Sequence, residues 1–166
     1  MSISSPRYLL DTNVFNVVFK NLLAVEEFRG VPLLVTHVQA DELRATRCPA
    51  TATGLLAVFE QIGPEETPTR SAVWDVSKWD KASWPDEDEV FDRMLVRLKA
   101  LDTASGKKPR DPANQLRDIL IAETAVKNGL TLVSDDVNLR CVTTEFGGNA
   151  IRSRSYERES HDLPRC

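Results

Sequence analysis

Residues 118–136 read DILIAETAVKNGLTLVSDD. Ile121, Ala122 and Ala125 recur at helical spacing, and Asn128-Gly129 supplies a helix stop. Leu130-Thr131-Leu132-Val133 then forms a short apolar run that reads as a buried strand, ending at Ser134-Asp135-Asp136. Upstream, Asp111-Pro112 makes an N-cap and first-turn pair for the helix. One helix feeding one fully apolar strand is half of a parallel α/β unit, because strands buried on both faces lose the polar alternation of a one-sided sheet.

The N-terminal half repeats the pattern. Tyr8-Leu9-Leu10 is a second apolar run, stopping at Asp11-Thr12-Asn13. Val14, Phe15, Val18, Leu22, Val25 and Phe28 predict one helix ending at Gly30. Val31–Val35 is the next strand. Thr36 followed three residues later by Gln39 is a capping box, opening a helix that stops before Pro49. A third helix is expected over Ala50–Gln61, a loop over Gly63–Pro68, and a strand or extended edge over Ser71–Val76. Pro85-Asp86-Glu87-Asp88-Glu89 opens a helix to about Leu101, its acidic first turn favoured by the helix dipole. Asp102–Arg110 reads as a flexible basic loop and Asn149–Ile151 as a last short strand. The expected fold is a three-layer α/β/α sandwich around a central, mainly parallel sheet. It forms one domain over residues 1–151 with an extended segment at about 63–110, followed by a polar tail at 152–166.

Composition narrows the function. The 166 residues are 42% hydrophobic and 28% charged, as in a globular domain with its own core. No run of 18 apolar residues occurs and the N-terminus does not read as a secretory signal, so a cytoplasmic protein without a membrane span is expected. Cys48, Cys141 and Cys166 lack metal-binding spacing, and His37 and His161 are the only histidines. A bound metal would therefore take oxygen ligands. The net charge of −4 does not advertise a nucleic-acid partner. It coexists with a basic stretch in which Lys107, Lys108, Arg110 and Arg117 stand against Asp111. Lys107, Lys108 and Arg110 are candidates for gripping RNA phosphates, with a merely solvated loop as the alternative. Trp74, Trp79 and Trp84 are read as packing under the extended segment in preference to stacking on bases.

In α/β sheets, function gathers beyond the carboxyl ends of the strands. Four carboxylates belong there: Asp11 after the first strand, Glu42 in the helix after the second, Asp118 early in the helix before the late strand, and Asp136 (or Asp135) after that strand. On a helical wheel Asp118 falls among Ile121, Ala122 and Ala125. Lys127, Glu123, Thr124, Arg117 and Asn128 take the opposite, polar arc. A carboxylate on an apolar face needs a cation, a hydrogen-bond network or a raised pKa. Each acid has an ordinary alternative: Asp11 and Asp136 as helix caps, Glu42 as a solvated glutamate. Together they would repel unless a cation bridged them, and Mg2+ or Mn2+ suits an oxygen-only site.

Tyr8-Leu9-Leu10-Asp11-Thr12-Asn13 resembles the opening motif of PIN-domain ribonucleases. Residues 36–43, Thr36 through Glu42-Leu43, resemble the second motif of that family. Residues 118–125, Asp118 opening an alanine-rich apolar helix, resemble the third. Leu132-Val133-Ser134-Asp135-Asp136 resembles the fourth. The resemblance covers residues 8 to about 151. It implies a metal-dependent endoribonuclease, often the toxin of a VapBC-type toxin–antitoxin pair, and in many members a homodimer. It implies Asp11, Glu42, Asp118 and Asp136 as the catalytic set and Asp11, Asp118 and Asp136 as metal ligands. Thr12, Asn13, Ser134, Asp135 and Asn138 become supporting residues. Counting from Ser134 makes Asp136 the fourth carboxylate and leaves Asp135 solvated or capping the next turn. Asn138 stands where many relatives carry a further aspartate, so one metal ion is expected in place of two. A haloacid-dehalogenase-type phosphatase would need an aspartate where Asn13 stands, and a receiver domain would carry its acidic pair near the first strand. The remaining alternative is a non-catalytic RNA- or protein-binding module that keeps the fold.

Overall fold

The computed structural model describes residues 6–73, 76, 89–106, 108 and 110–154. The expectations for Trp74, Trp79, Trp84, Lys107, the helix start at residues 85–88 and the tail beyond 154 lie outside the described residues. The strands are β1 (Tyr8–Leu10), β2 (Leu33–Val35), β3 (Glu65–Glu66), β4 (Thr131–Val133) and β5 (Asn149–Ile151). They form one five-stranded sheet in the order β3-β2-β1-β4-β5, every pairing parallel. The helices are α1 (Thr12–Phe19), α2 (His37–Arg44), α3 (Pro49–Ile62), α4 (Val90–Ala104), α5 (Pro112–Asn128) and α6 (Val137–Glu145).

Strand residues alternate between faces, and here both faces are covered. Leu9, Leu34 and Leu132 pack with Met94 and Leu98 of α4, residues 119–122 of α5, and Leu139 and Val142 of α6. Tyr8, Leu10, Leu33, Val35 and Val133 pack on the other side with Val14, Phe15 and Val18 of α1 and Leu55 of α3. The layers are α1 and α3, the sheet, and α4, α5 and α6. The chain leaves β1 toward β2 and β3, then crosses to β4 and β5 on the other side. That reversal puts a crevice between the carboxyl ends of β1 and β4, where open α/β sheets bind ligands.

Several elements differ from their sequence-based expectation. The helix expected from Val14 to Phe28 is two pieces, α1 and a 3-10 turn at Val25–Phe28. Asn21 at φ 55° turns the chain between them, a left-handed conformation that asparagine tolerates. The loop over Gly63–Pro68 contains β3, an edge strand of two exposed glutamates whose backbone alone carries the pairing. Residues 71–73 are not a strand. They belong to a strap across α5, in which Arg70 N donates to Thr124 Oγ1 at 3.3 Å and Ser71 Oγ donates to Glu123 Oε1 at 2.8 Å. For that reason Glu123 and Thr124, expected on a polar arc, are fully buried. Glu89 at φ 54° precedes α4, so the helix begins at Val90 and Asp92 is the acid of its first turn. At its other end α4 runs to Ala104, so Asp102 is helical and not part of a loop. Helix α6, absent from the sequence reading, is capped by Asp136, whose side chain accepts from Asn138 N and Leu139 N.

Candidate active site

β1 and β4 are hydrogen-bonded neighbours, with Leu10 opposite Val133 and Asp11 N donating to Val133 O at 2.9 Å. This register sets Asp11 beside Ser134. Ser134 Oγ donates to Asp11 Oδ2 at 2.6 Å and accepts from Asp136 N at 3.1 Å and Asn13 Nδ2 at 3.2 Å. Asn13 Nδ2 also donates to Asp11 Oδ2 at 2.7 Å, and Asp11 Oδ1 takes Thr12 N at 2.7 Å as it caps α1. The Thr12 hydroxyl donates to the Glu42 carboxylate, linking the start of α1 to α2. The capping box fixes where α2 begins, and its Gln39 extends to the central strand: Gln39 Nε2 donates to Leu10 O at 2.7 Å. Thr12, Asn13 and Ser134 thus form the hydrogen-bonded frame around Asp11.

Asp118 enters from the second turn of α5, its side chain 17% exposed. Its charge interacts with those of Asp11, Glu42 and Asp136, and that of Asp11 with Glu42 and Asp136. Burial pushes the Asp11 carboxyl up to about 6, with the Glu42 charge adding to the effect and the Ser134 hydrogen bond opposing it. Burial likewise holds Asp118 well above the usual carboxylate range, the Asp11 charge reinforcing it and Arg110 opposing it. Glu42 is raised by burial, against the Thr12 hydrogen bond and the charge of Arg117. In all three, burial is the largest cause and disfavours the charged carboxylate.

The neighbours Asp135 and Asp136 part company. Asp136 Oδ1 caps α6, accepting from Asn138 N at 2.8 Å, while its Oδ2 accepts from the Arg110 guanidinium. Asp135 reaches the opposite way, accepting from Ser153 N at 3.1 Å and Ser153 Oγ at 2.9 Å. β4 ends at Val133, so this divergence comes from the turn after the strand and not from strand alternation. Capping belongs to Asp136, the ordinary alternative weighed for it in the sequence, and not to Asp135.

Two residues of this region were missed or misjudged. Arg110 does not stand free for phosphate: Nη1 donates to Asp118 Oδ2 at 2.7 Å, Nη2 donates to Asp136, and Nε lies 3.2 Å from Asp102 Oδ2. Three carboxylates draw it inward, and of the two described basic residues of the loop, Lys108 and Arg110, only Lys108 is exposed. Asp102 is the missed acid, buried and accepting from Asn138 Nδ2 at 2.7 Å and Gln115 Nε2 at 2.9 Å. Its signal was in the sequence, because Met94, Leu98 and Asp102 recur every four residues on the buried stripe of α4.

Among the described residues, no three histidine, cysteine, aspartate or glutamate side chains are grouped so as to hold a metal ion in this arrangement. The donor set nevertheless suits a hard divalent cation: Asp11, Asp118 and Asp136 offer carboxylate oxygens only. A guanidinium already lies between Asp118 and Asp136, so this spot selects positive charge.

A five-stranded parallel sheet in the order 3-2-1-4-5, helices on both faces and acids at the switch point define the PIN-like fold. No family model matches the chain, and no curated protein does. Among solved structures the chain is similar to PAE2754 from Pyrobaculum aerophilum, with a TM-score of 0.54 and 15% identity over 96% of this chain and 100% of that one. Looser likenesses include VapBC-5 from Mycobacterium tuberculosis, a member of the VapBC family of toxin–antitoxin systems (TM-score 0.42, 21% identity, 89% and 98% covered). Another is VapBC-1 from nontypeable Haemophilus influenzae (TM-score 0.47, 14% identity, 89% and 98% covered).

Proposed function

We propose that this chain is a metal-dependent endoribonuclease that hydrolyses RNA phosphodiester bonds. The observation that supports it most is the arrival of Asp11, Glu42, Asp118 and Asp136, from four separate segments, at one switch-point crevice. Two of them, Asp11 and Asp118, have pKa values raised by burial and mutual repulsion. Mg2+ or Mn2+ would be held by Asp11, Asp118 and Asp136. When bound, the ion supplies a Lewis acid for the phosphoryl oxygen and lowers the pKa of water.

This chain's own residues do the rest. Ser134 and Asn13 hold Asp11 Oδ2 in one orientation, so the carboxylate meets its cation without reorganising. Glu42, anchored by the Thr12 hydroxyl, is the group placed to orient a water and accept its proton at a carboxylate oxygen. Water adds to phosphorus, the bond to the ribose oxygen breaks, and the proton returns to that oxygen as it leaves.

RNA as substrate follows from the motif resemblance. The proposal also includes an antitoxin protein as partner, VapBC-5 being a member of a family of toxin–antitoxin systems, and a homodimer. A second reading, a non-catalytic binding module with the same fold, draws on one observation: Arg110 already pairs with Asp118 and Asp136.

RNA incubated with the purified chain and Mn2+, with and without excess EDTA, separates the two. Cleavage that EDTA abolishes supports the nuclease. Undiminished cleavage in EDTA rejects the metal mechanism, and no cleavage under any divalent ion favours the binding module.

A further inference from the structure

Arg110 occupies the acidic crevice through every edge of its guanidinium. Nη1 bonds Asp118 and Nη2 bonds Asp136, which are proposed metal ligands, while Nε pairs with Asp102, which is not. The side chain is only 20% exposed, so the arrangement is an interior ion cluster and not a surface pair. Asp102 is itself anchored. Asn138 Nδ2 donates to its Oδ1 at 2.7 Å and Gln115 Nε2 to its Oδ2 at 2.9 Å, while Asn138 Nδ2 also reaches Ser105 Oγ at 3.3 Å. An aspartate at 138 would set a like charge against Asp102, whereas the amide donates to it. Two amides on α5 and α6 therefore fix a fifth carboxylate on α4, and that carboxylate holds the inner edge of Arg110.

A guanidinium held on Asp118 Oδ2 at 2.7 Å and a divalent ion drawn to the same carboxylate would be like charges at close range, so each weakens the other's hold on it. We infer that Arg110 is a built-in counter-cation of the crevice, which competes with a divalent ion for the charge of Asp118 and Asp136. Asp102, outside the metal-ligand set, helps hold the guanidinium on them. The inference rests on the metal-binding reading above, and it accounts for acids that share one crevice while no three of them are grouped to hold an ion.

The test is Mn2+ titration calorimetry on the whole chain, comparing wild type, Arg110→Ala and Asp102→Asn. Arg110→Ala is expected to bind Mn2+ about tenfold more tightly or better. Asp102→Asn, which loosens Arg110 without removing a proposed ligand, is expected to tighten binding by a smaller factor. Without metal, Arg110→Ala should melt below wild type, with saturating Mn2+ closing the gap. If Arg110→Ala does not fold, the Asp102→Asn comparison decides. Mn2+ binding by wild type that is unchanged or weaker in the variants overturns the role of Arg110 and leaves the metal site standing. No Mn2+ binding by any of the three overturns the metal reading and this inference together.

Discussion

A buried carboxylate on a helix must find a proton, a cation or a set of donors, and three acids here find different answers. Asp118 shares a guanidinium, Asp102 takes two amides and the same guanidinium, and Glu123 takes Ser71 and Lys127. Asp118 was legible because a wheel places it among alanines. Asp102 was not, because ending the helix at Leu101 hid its place on the Met94–Leu98 stripe. Asp11 was legible from the strand that ends in front of it, and its network with Ser134 followed only once β1 and β4 were known to be neighbours. The contrast between Asp135 and Asp136 yields a prediction at this scale. Asp136 faces the crevice and Asp135 holds Ser153. Asp136→Asn, which can still cap α6, is expected to lower Mn2+-dependent RNA cleavage at least about tenfold more than Asp135→Asn. Rates measured side by side check this; the reverse ranking would place the fourth carboxylate at 135.

Helix starts were readable where a side chain caps the backbone. Thr36 with Gln39 and Asp111 with Pro112 are local signals, and the structure contains both. Glu89 and Asn21 defeated the reading because a single left-handed residue ends or delays a helix without changing the apolar rhythm. β3 left no signal at all, being two exposed glutamates recruited by backbone pairing alone. Helix α6 had a capping aspartate as its cue, and that cap was weighed for Asp136 without a helix being drawn after it. The strap over α5 is a tertiary feature that no wheel can show. It covers a helix face that reads as polar. Beneath it Glu123 is fully buried, with Lys127 Nζ at 3.1 Å and Ser71 Oγ at 2.8 Å from Oε1. Removing one member of a buried pair strands the other, at a typical cost of about 3 kcal/mol. Glu123→Ala is therefore expected to lower stability by that amount, read from the urea midpoint at unchanged slope. A loss under about 0.5 kcal/mol, the range of ordinary surface substitutions, would mean the strap contributes nothing.

At the scale of the molecule, the layered parallel architecture was legible because its strands are continuous apolar runs and its helices alternate with them. The sheet order was not, since three-residue strands carry no pairing information. That order supplies the functional logic: β1 and β4 sit either side of the switch point, and the acids that follow them meet there. Among the described residues no helix is long and apolar enough to cross a membrane. The central claim is that this crevice, with Asp118 as its least replaceable ligand, cleaves RNA with a divalent ion. It is tested most directly by assaying RNA cleavage in Mn2+ by wild type and Asp118→Asn, with melting curves of both. Asparagine keeps the shape of aspartate and removes a charge that burial disfavours. The account predicts a variant that melts at or above the wild-type temperature in the absence of metal and has lost about a hundredfold or more of the activity. A folded Asp118→Asn variant that cleaves RNA at the wild-type rate would contradict it.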